Sequence, residues 1–183
     1  MIDSRQASEA LSEINDIAHR VRQSQLYNIS SHMMVLWGGL VCAGNLVTYL
    51  WPRYAGYAWI AVYVLGVAGW CAISALNFGR TRVHSFDARM LAAFLLFFAF
   101  GFFTCWLGHF TPRQLGTFWP IYFMLFYVIA GLWFGYAFVA IGIAITVLTL
   151  IGYFFVTGFT FLLWMAVVNG GGLILGGLWM RRE

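Results

Sequence analysis

From Gln114 to Met180 the chain reads QLGTFWPIYFMLFYVIAGLWFGYAFVAIGIAITVLTLIGYFFVTGFTFLLWMAVVNGGGLILGGLWM, without one Asp, Glu, Lys or Arg. An α-helix rises 1.5 Å per residue, so ~20 apolar residues cross the ~30 Å hydrocarbon layer of a bilayer. Two helices drawn from this run would each be too long. Three fit, over 116–134, 136–156 and 159–179.

The same reading extends towards the N-terminus, with further spans over 29–50, 55–77 and 90–109. The whole chain of 183 residues is 62% hydrophobic and 9% charged, with a mean hydropathy of +0.82. Soluble domains carry roughly a quarter charged residues, so an all-α integral membrane protein of six transmembrane helices is expected. Residues 1–28 differ from the rest. Leu11, Ile14, Ala18 and Val21 recur at helical spacing, with Glu9, Glu13, Asp16 and Arg20 largely on the other sides. That pattern predicts a short cytoplasmic amphipathic helix, with Asp3 and Gln6 placed for a capping box and Asp16 and Arg20 for an i,i+4 ion pair.

The basic residues set the expected orientation. All ten are arginine, which a coding bias explains more simply than guanidinium chemistry. With six spans, Arg5, Arg20, Arg22, Arg80, Arg82, Arg89, Arg181 and Arg182 share one side, and Arg53 and Arg113 lie on the other. The majority side is expected to be cytoplasmic, together with both termini. A five-helix map would strand Arg181 and Arg182 away from the N-terminal arginines. Scattered at loops, these residues give a net charge of +4 without the clustered patch of a nucleic-acid binder, so the lipid bilayer is the expected partner and nucleic acid is not.

Two outer turns resemble each other: PRYAGYAW at 52–59 and PRQLGTFW at 112–119 agree at Pro, Arg, Gly and Trp. Proline suits a chain leaving one helix for the next, tryptophan suits the interfacial belt, and arginine can reach headgroup phosphates. Turn chemistry accounts for the match; duplication of a helical hairpin or a shared ligand loop is the alternative. The third outer turn, near Thr157 and Gly158, lacks the Pro-Arg pair.

No catalytic set, metal site or cofactor is expected. No carboxylate lies inside a predicted span, which disfavours proton- or sodium-coupled transport. His32 and His109 fall near opposite ends of their spans and cannot sandwich one haem. His19, His32 and His84 share one side but lack ligand spacing. His84, Ser85 and Asp87 cluster in the inner loop, yet a catalytic triad converges in space rather than along the sequence. Cys42, Cys71 and Cys105 lie in three spans without a Cys-x-x-Cys pair and read as small reduced core residues.

What remains is small-residue patterning. NGGGLILGG, from Asn169, is the densest glycine cluster in the chain and sits mid-span in the sixth helix. Gly170, Gly171 and Gly172 could let that helix unwind around a substrate, or let a neighbour approach closely while Asn169 bonds across the contact. Gly38, Gly39, Gly131, Gly135 and Gly176 read as helix-packing positions, and the depths of Gly38 and Gly39 match those of Gly170–Gly172, so the first and sixth helices are expected to touch there. In layout, and in the segments LWGGLVCAGN, IAGLWFGYAF and GGGLILGGLWMRR, the chain resembles the small uncharacterised inner-membrane proteins common in proteobacteria. That resemblance implies a bacterial cytoplasmic membrane and carries over no activity and no functional residue. Two readings of function are open. One is a non-enzymatic membrane protein acting through a protein partner or as a homo-oligomer; the alternative is an uncoupled channel for a neutral solute, with Asn45, Asn169 and the glycines beside its path.

Overall fold

The computed structural model describes the backbone of residues 4–81 and 88–182, with side chains described outside 4–26 (Glu13 excepted), 76–91 and 94. The expected Asp3–Gln6 capping box, the Asp16–Arg20 pair, the histidines 19 and 84, and the inner-loop cluster with Ser85 and Asp87 lie outside the described residues or side chains.

The described chain is helical throughout, and no strand occurs in it. Helix α1 runs over Ser4–Leu50, α2 over Ala55–Thr81 after a single 3-10 turn at Pro52–Tyr54, α3 over Ala88–Gly108, α4 over Pro112–Phe134 and α5 over Tyr136–Phe155. Helix α6 occupies Thr160–Met180: α-helical at Thr160–Met165, π-helical at Ala166–Gly171 and α-helical again at Gly172–Met180. Five helical segments are long and apolar enough to cross a membrane: Tyr27–Leu50, Pro52–Ala75, Pro112–Phe134, Tyr136–Phe155 and Thr160–Met180. In α3 the described apolar part is shorter, Leu95–Gly108.

The amphipathic segment is not a separate element. It continues without a break into the first span, as one helix of 47 residues. The reason is local: residues 22–30, RQSQLYNIS, contain neither glycine nor proline, so nothing stops a helix there. The composition changes where the surroundings are expected to change from water to lipid, while the backbone keeps its course.

Packing places α6 at the centre. It lies along α1 on one side and against α5 on the other; α1 also carries α2, α5 pairs extensively with α4, and α3 rests on α4. Half of the α6 span is buried, against 11% of the α2 span. The core holds Met34, Met124, Phe138, Ile141, Ile145, Val168, Leu173 and Met180 from α1, α4, α5 and α6. With little hydrophobic drive between helices in lipid, such packing rests on close fit. Glycines provide it at several seams: a Cβ on Gly66 would strike the Trp37 ring, and one on Gly142 would lie 3.0 Å from Met124 O.

The turns have distinct chemistry. Thr111 caps α4 through a capping box, its backbone N–H donating to Gln114 Oε1 at 2.9 Å, and Pro112 takes the first helical position. Helix α4 therefore starts four residues before the position expected from hydropathy alone. Between α4 and α5 the chain turns on Gly135, whose φ of 134° is closed to most side chains. Gly135 therefore makes the turn between the helices, and Gly131, paired with it in sequence, packs against Val139 and Phe138 of α5.

Candidate functional site

Among the described residues, polar or close-packed groups gather at the α1–α6 seam, the Arg113 clamp and the His32–Arg181 contact.

At the seam the backbones of α1 and α6 nearly touch. A Cβ on Gly38 would lie 2.7 Å from Gly170 O, and one on Gly170 would lie 2.5 to 2.9 Å from Cβ, Cα and N of Cys42. Nearer the C-terminus, a Cβ on Gly177 would meet Ser31 O at 2.8 Å. Gly177 is absent from the packing positions expected from sequence, although it shares the face of Gly170 at a spacing of seven. The other glycines expected at this seam face elsewhere. Gly39 and Gly171 meet nothing within 4 Å, and Gly172 turns towards Ile145 of α5, at 3.1 Å. Gly176 packs between Met34 of α1 and Ile141 of α5.

Rotation explains this distribution: successive helical residues point ~100° apart, so Gly170, Gly171 and Gly172 cannot all face α1. The segment Ala166–Gly171 is π-helical, and the Gly172 N–H faces Val167 O, Val168 O and Asn169 O. Three successive glycines permit the wider turn because none has a side chain to crowd the facing helices.

The two asparagines are both buried, Asn45 bonding within its own helix and Asn169 also across to α5. Asn45 Nδ2 donates to Val41 O in its own helix at 2.9 Å. Asn169 Nδ2 approaches Thr149 Oγ1 of α5 at 3.4 Å and Met165 Sδ at 3.5 Å. Thr48, Thr104, Thr117 and Thr146 each donate to the carbonyl four residues back. These bonds satisfy the hydroxyls where no water is available. A cavity among the described residues is bounded by Phe110, Gln114, Thr117, Phe118 and Tyr153 and is largely open to the outside.

Arg113 departs from the expectation that it reaches headgroups. Its Nη2 donates to Tyr153 O at 2.6 Å and to Val156 O at 2.5 Å, at the C-terminal end of α5. Its guanidinium carbon lies 4.7 Å from the Phe161 ring centroid and 5.5 Å from that of Tyr153. Arg53, in the matching turn, is exposed. The shared motif thus serves two different local structures, a 3-10 turn at Pro52 and a capped helix start at Pro112.

At the other end of the bundle, Arg181 Nη2 lies 2.5 Å from His32 Nε2, and His32 Nδ1 lies 2.7 Å from Asn28 O. His109, at the Arg113 end, is exposed and has φ of 45°. The three cysteines are free thiols. Among the described residues no three His, Cys, Asp or Glu gather closely enough to hold a metal ion. No family model, curated protein or solved structure matches the chain.

Proposed function

We propose that the chain is a six-span protein of a bacterial cytoplasmic membrane, both termini cytoplasmic, that catalyses no reaction and works by holding a partner on its N-terminal arm. The carrying observation is the continuity of α1. Its span is Tyr27–Leu50, and the same helix extends back to Ser4, about 35 Å of further rod at 1.5 Å per residue. A rod joined to the bundle without a hinge transmits position.

Along that rod Leu11, Ile14, Ala18 and Val21 make an apolar stripe. Residues 1–29 sum to a charge of minus one, from Arg5, Arg20 and Arg22 against Asp3, Glu9, Glu13 and Asp16. Anionic lipid attracts basic segments, so this stripe suits a groove on a protein better than a membrane surface. The third helix, Ala88–Gly108, has 21 residues and the length to complete the sixth span. A packed apolar core, in which the amides of Asn45 and Asn169 bond to protein groups, supports the partner role over a channel.

Photo-crosslinking from position 11 or 14 in intact cells tests the arm. One stoichiometric crosslinked species is expected, either a second protein or a second copy, lost on Ile14→Glu with Val21→Glu while the melting temperature of the bundle holds. Solute flux through the purified chain alone in liposomes, untouched by those two changes, would overturn the reading. Topology is tested separately: reporter fusions after Arg53 and after Glu183 should give opposite signals, and matching signals would remove the six-span map.

A further inference from the structure

We infer that His32 and Arg181 form a phosphate-binding site at the membrane boundary, occupied by the phosphate of an anionic lipid headgroup and coupled to protonation of His32. The inference stands apart from the partner arm, because it uses neither residues 4–26 nor their stripe.

The protonation state follows from the two contacts. Arginine carries donors and no acceptor, so the His32 Nε2 facing Arg181 must present its lone pair. A carbonyl only accepts, so the Nδ1 facing Asn28 O must carry the proton. A single neutral tautomer satisfies both. Arg181 thereby spends one of its N–H donors on a neutral imidazole. Both side chains are exposed, and no ion pair to Arg181 or Arg182 occurs among the described residues.

Position supplies the ligand class. Arg181 directly follows the apolar span Thr160–Met180, and His32 stands five residues inside Tyr27–Leu50. Both therefore sit at the edge of the apolar layer, where headgroup phosphates lie. A phosphodiester is a stronger acceptor than imidazole for a guanidinium and matches its planar fork. When the phosphate takes over the Arg181 donors, His32 Nε2 is released, accepts a proton from water and becomes a second donor to the same anion. No bond in the ligand breaks. The charged and titratable groups described at this end are Arg181 and Arg182 on α6, Tyr27 on α1 and Tyr136 at the start of α5.

The test uses the full chain in detergent, with phosphatidylglycerol, whose single charge does not titrate near neutrality, against phosphatidylcholine. Lipid retention is read by native mass spectrometry at pH 5.5 and 7.5, the interval over which imidazoles commonly change charge. Retention of phosphatidylglycerol should exceed that of phosphatidylcholine about tenfold, and should be greater at pH 5.5. Arg181→Gln should remove the preference. His32→Gln, which keeps a neutral donor and acceptor, should remove the pH dependence while leaving the melting temperature in place. Arg53→Gln, at the opposite end, should change neither. If inorganic phosphate instead binds saturably, with the same response to both variants and no lipid preference, the site is retained and its occupant is a soluble phosphate. Retention indifferent to Arg181→Gln and His32→Gln, or lowered equally by Arg53→Gln, overturns the site.

Discussion

Gly170→Ala is expected to destabilise the detergent-solubilised protein by roughly 1 to 3 kcal/mol, while Gly171→Ala, one position on, leaves it unchanged or slightly stabler. Thermal melts of both variants give the comparison. At Gly170 the added carbon would lie 2.5 Å from Cys42 Cβ and within 2.9 Å of its backbone N and Cα. Backbone cannot swing aside as a long side chain can, so α1 and α6 must separate, and a seam that holds by close approach loses its contacts along a turn or more. At Gly171 nothing lies within 4 Å, and alanine is the better helix former by nearly 1 kcal/mol. Gly172→Leu should fall between the two. Its Cβ meets Ile145 Cγ1 at 3.1 Å and Cδ1 at 3.2 Å, so the strain falls on α5 rather than on the α1–α6 seam. Equal melts for Gly170→Ala and Gly171→Ala would mean that Gly170 is not the residue closing on α1.

The contrast between these neighbouring glycines also marks how far the sequence can be read. Matching depths along two apolar helices are enough to bring Gly38 to the glycine cluster, because depth depends only on rise per residue. Choosing which of Gly170, Gly171 and Gly172 faces α1 depends on rotation, and Ala166–Gly171 is π-helical rather than regular α-helix. No regular periodicity contains that information. The unbroken α1 is hidden for the opposite reason. Its composition changes near Leu26, and a change of composition reads as a change of element, whereas only a breaker or a cap ends a helix and RQSQLYNIS offers no glycine or proline. The His32–Arg181 contact joins residues 149 apart in sequence and has no local signal at all.

Arg113→Ala should cost about 2 to 3 kcal/mol, whereas Arg53→Ala, in the look-alike turn, should stay within about 0.5 kcal/mol as an exposed substitution. The difference arises at the far end of α5. That helix ends at Phe155, and its last carbonyls have no partner within the helix. Arg113 donates to Tyr153 O and Val156 O there, placing a cation against the negative end of the helix dipole, and its guanidinium is held between the rings of Tyr153 and Phe161. The next turn, with Gly158 at φ of 66°, carries no arginine of its own. One arginine thus starts α4, closes α5 and packs on α6. Removing it leaves two partly buried carbonyls without their donor, which is why the loss exceeds that of an ordinary surface cation. Arg113→Lys should recover only part, since an ammonium keeps the charge but lacks the planar fork that reaches both oxygens from one nitrogen face. Hydrogen exchange at residues 152–156 offers a local readout: faster exchange in Arg113→Ala with the rest of α5 unchanged would place the defect at the clamp, and identical exchange in the two arginine variants would remove the clamp as the reason for the cost.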